Sequence, residues 1–124
     1  MNDLLIQFNN QLYLNLVTYR KNGEDMRTPV WFVKENNILF VRTIMKSGKV
    51  KRIRNNSNVQ VALCEANGRI TGQWLEGDAR LIADPSEAAR IEKLFDEKYG
   101  EVKKGIDEQR KAQGMAYATI AVEV

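Results

Sequence analysis

The chain has 124 residues, 44% hydrophobic and 28% charged, which suits one globular domain with a modest core. With no histidine and a single cysteine, Cys64, Ser-His and Cys-His nucleophiles, histidine-containing zinc sites and cysteine-rich metal clusters are excluded. The net charge of +3 is concentrated: between Glu35 and Glu65 there is no acidic residue, only Arg42, Lys46, Lys49, Lys51, Arg52 and Arg54, which argues for a local anion site over a broad nucleic-acid surface.

Asn2 or Asp3 is placed to cap a short helix in which Leu4, Leu5 and Phe8 fall at helical spacing. No basic preface precedes this stretch, so no signal peptide is expected, and no apolar run reaches membrane-spanning length. With its lone cysteine the protein is expected to be cytoplasmic and off the membrane. The first predicted strand is Leu12 to Arg20, rich in leucine, aromatic and β-branched residues. Asn22-Gly23 is a turn signal, and a second strand runs from Arg27 to Lys34. Pro29 lacks an N–H, so that strand begins at an edge or bulge. Asn36-Asn37 turns the chain into a third strand, Ile38 to Ile44. Short connections make these three an antiparallel meander.

Ser47-Gly48-Lys49-Val50-Lys51-Arg52-Ile53-Arg54 follows. The Ser47 hydroxyl can cap a helix start, and Gly48 removes bulk where a ligand would approach the backbone. Val50 and Ile53 share a helical face and leave the basic residues around the rim. A helix N-terminus with free N–H groups and added lysine is an anion site. Two readings stand at this point: a turn holding a cofactor phosphate, and a solvated basic helix.

Asn58 to Ala66 alternates as a strand, Asn67-Gly68 turns it, and Arg69 to Ala83 is its long partner, with Gly72 and Gly77 marking bulges or close backbone approach. Asp84-Pro85-Ser86-Glu87 opens a helix whose Ala88, Ile91, Leu94 and Phe95 line one face, and Gly100 stops it. Glu101 to Gly114 is charged and only weakly apolar, a marginal second helix or ordered loop. Tyr117 to Val124 closes the chain as a strand. The sum is a mainly β, single domain over 1–124: a six-stranded antiparallel barrel with peripheral helices.

At this point the sequence resembles the split-barrel flavin and deazaflavin proteins related to pyridoxamine 5′-phosphate oxidase, and within them the small deazaflavin-dependent oxidoreductases. The matching pieces are Leu16-Val17-Thr18-Tyr19, Thr28-Pro29-Val30-Trp31-Phe32, Val41-Arg42-Thr43, Ser47 to Arg52, and Gly72-Gln73-Trp74-Leu75-Glu76-Gly77, in family order across Leu12 to Ile82. The resemblance implies a split-barrel homodimer with cofactor sites at the subunit interface. It implies flavin mononucleotide (FMN), or alternatively the deazaflavin coenzyme F-420, passing hydride to or from a small organic substrate. Carried over residue by residue, Arg42, Thr43, Ser47, Gly48, Lys49 and Lys51 would surround the cofactor phosphate. Thr28, Pro29, Val30 and Trp31 would border the ring, and Trp74 would lie near it, from the same or the other subunit. Read on their own chemistry, Trp31 and Trp74 also suit core or interface packing, and Lys51 suits a solvated rim. Gln73 stands where many relatives carry proline. No basic C-terminal substrate motif matches, so pyridoxamine phosphate oxidation itself is not implied. A non-catalytic cofactor-binding protein of the same fold is the second reading, a nucleic-acid-binding module the third. No residue is singled out as a catalytic acid or base.

Overall fold

A computed structural model describes residues 3–124. The expected cap at Asn2 or Asp3 lies outside the residues whose side chains are described; the turn it would open is a short 3-10 helix, Asp3–Phe8. Seven strands follow: β1 Leu14–Tyr19, β2 Asp25–Val30, β3 Phe32–Glu35, β4 Ile38–Ile44, β5 Asn58–Leu63, β6 Leu75–Leu81 and β7 Tyr117–Glu123. They form one antiparallel sheet in the order β2-β1-β5-β6-β7-β4-β3. Helix α1, Gly48–Asn55, joins β4 to β5, and α2, Pro85–Ala112, joins β6 to β7.

The strand count corrects the expectation of six, and Trp31 is the reason. The run expected as one strand from Arg27 to Lys34 is broken there. Val30 pairs with Leu14 of β1, whereas Phe32 pairs with Val41 of β4. The two halves of that run therefore form the two edges of the sheet, and Trp31 links them, so the sheet curls into a split barrel. The break leaves Phe32 backbone groups outside a regular ladder, and α2 satisfies them. The Phe32 N–H donates to the Tyr99 hydroxyl at 2.9 Å, the hydroxyl faces the Phe32 and Leu12 carbonyls at 2.9 and 2.8 Å, and Lys98 donates to the Phe32 carbonyl at 2.7 Å. A buried backbone group without a partner would cost about 1–3 kcal/mol, so Tyr99 and Lys98 maintain the split.

Two apolar layers follow from strand alternation. Inside the barrel pack Leu14, Leu16, Phe32, Leu39, Val41, Val61, Ile120 and Val122, with Leu5 and Phe8 closing one end and Ile53 of α1 contributing from the basic turn. On the outer face, Val33, Phe40 and Ala121 meet Ile91 and Phe95 of α2. Both helix side chains are fully buried, worth roughly 1.5–3 kcal/mol each. Asp84 caps α2 by accepting from the Ser86 N–H at 3.0 Å, and Pro85 occupies the first turn. Gly100, at φ 57° and ψ −131°, interrupts the helix where the sequence places a stop, a conformation costly for any residue with a Cβ. The charged segment beyond it is helical through Ala112. Gly77 sits where β6 crowds β7: a Cβ there would lie 2.8 Å from a Val122 methyl. Among the described residues, no helix is long and apolar enough to cross a membrane.

Candidate cofactor cleft

A cleft of about 280 Å³ opens where β2 parts from β4. One wall is Thr28, Pro29, Val30 and Trp31; Arg42, Thr43 and Ile44 of β4 also line it, as do Lys49 of α1, Ile106 and Arg110 of α2, and Tyr117 of β7. The break at Trp31 makes this opening, because it carries β2 and β3 to opposite edges of the sheet. The cleft gathers Thr28, Pro29, Val30, Trp31, Arg42, Thr43 and Lys49 from the residues singled out in the sequence. Ser47, Gly48, Lys51 and Trp74 are not among its lining residues.

Each of those four has another setting. Ser47 precedes α1 with extended backbone but makes no side-chain cap; its hydroxyl instead accepts from the Thr43 hydroxyl at 3.4 Å. The first-turn N–H groups of α1 thus have no side-chain cap. Gly48 makes room for a side chain of its own helix: a Cβ there would lie 2.5 Å from an Arg52 guanidinium nitrogen. Arg52 turns inward and donates from Nε to the Thr18 hydroxyl at 2.6 Å. Lys51 is exposed. Trp74 sits under the Arg27 guanidinium, 5.2 Å from ring centroid to carbon.

Arg42 is at the cleft but its charge is already used. Its side chain is 7% exposed and contacts Glu92 at 2.6 Å and Asp107 at 2.7 Å, while its guanidinium carbon lies 3.4 Å from the Tyr117 ring centroid. Lys103, also buried, completes the network with Glu92 at 2.9 Å, Asp96 at 2.6 Å and Asp107 at 2.6 Å. These bonds join both halves of α2 to each other and to β4 across the Gly100 break. They hold the Asp107 carboxyl below the usual carboxylate range, against burial, which pushes it up. Trp31 is likewise engaged, stacked on Tyr99 at 4.1 Å with rings 7° from parallel.

Two cations on the walls have no carboxylate partner among the described residues, Lys49 and Arg110. Burial, and then the nearby Arg52 charge, push the Lys49 amine below its ordinary value. An anion in the cleft would relieve both effects. The Tyr117 hydroxyl is buried and lacks a hydrogen-bond partner among the described residues, as expected of a polar group that a ligand would satisfy. The cleft thus combines a cation without a carboxylate partner among the described residues and an apolar wall of Pro29, Val30 and Trp31. A larger groove of about 650 Å³ runs over Tyr19, Asn58, Gln60, Glu76 and Asp78. Size favours that groove, but amides and carboxylates line it without a cation, so it does not suit an anion. Ile44, Ile106, Arg110 and Tyr117 line the cleft without belonging to any motif that marks it in the sequence. Only Tyr117 had a readable signal, as it shares a sheet face with Thr119 and Ala121.

The family model for pyridoxamine 5′-phosphate oxidase matches residues 4–123. No curated protein sequence matches the chain. Among solved structures, the heme storage protein HutZ of Vibrio cholerae is 16% identical with a TM-score of 0.72, covering 96% of this chain and 86% of its own. An FAD-binding protein of Mesorhizobium loti is 14% identical with a TM-score of 0.67, covering 100% and 88%. An F-420 reductase is 17% identical with a TM-score of 0.63, covering 99% and 94%. At these identities the likeness is one of fold.

Proposed function

The chain belongs to the pyridoxamine 5′-phosphate oxidase family, and from that premise we propose that it is an oxidoreductase whose cleft binds FMN, or a deazaflavin coenzyme in its place. The observation that carries the reading is Lys49, a half-buried cation on the cleft wall with no carboxylate partner among the described residues, in the first turn of α1, which has no side-chain cap. When bound, such a cofactor supplies the hydride chemistry. The chain's residues bind, orient and exclude water. Lys49 and the α1 N–H groups would hold the phosphate by charge and hydrogen bonds. Thr28 to Trp31 would border the ring, with Pro29, Val30 and Trp31 giving an apolar wall. Arg42 would act indirectly, holding Tyr117 and the second half of α2 in place through its two carboxylates. Hydride transfer needs no acid or base from the protein, and no side chain of the cleft is assigned that role.

The cleft, of about 280 Å³, would be completed by a second copy of the chain in the homodimer that the family resemblance implies. Trp74 would then serve the partner's cleft. The test is titration of cofactor-free protein with FMN and with the deazaflavin coenzyme, followed by fluorescence. Lys49→Ala should weaken binding roughly ten- to a hundredfold, the worth of one charge-assisted hydrogen bond. Lys104→Ala, on the exposed surface of α2, should leave it unchanged. Equal effects would remove Lys49 from the site. Failure of either cofactor to bind would overturn the oxidoreductase reading, and binding without reduction of any acceptor would leave a cofactor-binding protein of the same fold.

A further inference from the structure

We propose that Ile106 and Arg110 form the acceptor subsite, and that the acceptor is a largely apolar organic anion, a carboxylate by class. The inference rests on the cofactor reading of the same cleft. Ile106 and Arg110 are four residues apart on α2, so they lie one above the other on a single helix face, and both line the cleft. That face presents an apolar patch followed by a cation, the complement of an apolar group carrying an anionic substituent. A guanidinium pairs with a carboxylate through two parallel hydrogen bonds, giving orientation as well as charge.

Arg110 has no competing task in the fold. It pairs with no carboxylate among the described residues, in contrast to Arg42 and Lys103, which are committed to Glu92, Asp96 and Asp107. Nor is it needed to finish its helix. The last-turn carbonyls of Gln109, Arg110 and Lys111 already accept from the backbone N–H groups of Gln113, Met115 and Gly114. The face that carries it is held in position, because Asp107, between Ile106 and Arg110 in sequence, is bound to both Arg42 and Lys103. A subsite on a latched helix is preorganised, so little ordering cost opposes binding. Lys49 comes from a different element, which leaves it for the cofactor phosphate and Arg110 for a second anion. The Tyr117 hydroxyl, buried and unpartnered on the same cleft, adds a donor to the pocket.

The experiment is calorimetric titration of the protein, cofactor-free and FMN-loaded, with naphthoate and with its neutral counterpart naphthamide. FMN and riboflavin are titrated in parallel. Wild type should bind naphthoate more tightly than naphthamide. Arg110→Gln should lose at least about tenfold in naphthoate affinity with naphthamide and FMN unchanged, and Arg110→Lys should restore part of the loss. If Arg110→Gln instead weakens FMN and spares riboflavin, the arginine serves the cofactor phosphate and the inference is overturned. Equal effects on naphthoate and naphthamide, or no preference in wild type, overturn it as well. If wild type binds no FMN, the cofactor reading fails separately, and the titration of cofactor-free protein still decides whether Arg110 selects the anion.

Discussion

Arg42→Gln separates the phosphate-ligand role that the family resemblance implies for this residue from the structural role that the fold gives it. A phosphate ligand would contribute to cofactor affinity and little to folding, whereas the observed Arg42 is a structural cation. Its side chain is 7% exposed and bridges Glu92 and Asp107, the latter in the half of α2 beyond the Gly100 break. Removing one partner of a buried ion pair costs about 3–5 kcal/mol, because the remaining charge is left without compensation. Here both acids are partly exposed and Lys103 stays in contact with each, at 2.9 and 2.6 Å, so the cost falls below that range, to roughly 2 kcal/mol. Stacking on the Tyr117 ring is lost too, for about another 0.5–1 kcal/mol. In a protein of this size the sum should lower the thermal midpoint by roughly 10 °C. Urea unfolding at neutral pH measures the free energy directly, with FMN titration run on the folded variant. A variant within about 0.5 kcal/mol of wild type that nevertheless loses tenfold in FMN affinity would refute this reasoning and return Arg42 to the phosphate.

Two further predictions concern the strand break. Tyr99→Phe keeps the ring stacked on Trp31 but removes the hydroxyl that serves the Phe32 N–H and the Leu12 carbonyl. It should destabilise the fold by about 1–3 kcal/mol, read from the urea midpoint at unchanged slope. Burial pushes the Lys98 amine down to about 8. Between that value and the ordinary lysine range near 10.5, the unfolded chain holds a proton that the folded chain has released, so stability contributed by this group rises with pH across the window. The stability difference between wild type and Lys98→Met should therefore move in favour of wild type from pH 8 to 10; a difference independent of pH would sink the assignment.

Much of the fold could be read from local patterns, and the misreadings have one source. β4 occupies the expected Ile38 to Ile44 because a seven-residue run with five apolar residues, bounded by turns, has few alternatives. Gly100 interrupts α2 where expected because a positive φ is cheap only for glycine. The second strand reads as continuous, since nothing in Val30-Trp31-Phe32 signals a break. What divides it is distant: Tyr99 and Lys98 lie 67 and 66 residues from Phe32, and they supply the hydrogen bonds that let the backbone leave one ladder for another. The helical state of Glu101 to Ala112 is hidden similarly. Its apolar face is thin, and its order comes from Lys103 and Asp107 meeting acids and a base elsewhere in the fold.

The same limit governs the cleft. Position along the chain showed which residues carry charge, but not which charges are already paired. Arg42 and Lys49 are both basic residues at the end of β4 and the turn after it, and no sequence pattern distinguishes them. In the fold, Arg42 meets two carboxylates from α2 and Lys49 meets none among the described residues, so the ability to hold an external anion passes to Lys49. Arg110 is the converse. It sits among glutamates and lysines of a segment that looks like solvated surface, yet the packing of α2 turns it onto the cleft without a partner. A cation counts toward a binding site only after the acids of its own protein have been assigned. By that accounting Lys49 and Arg110 are the two charges on these walls left for a ligand.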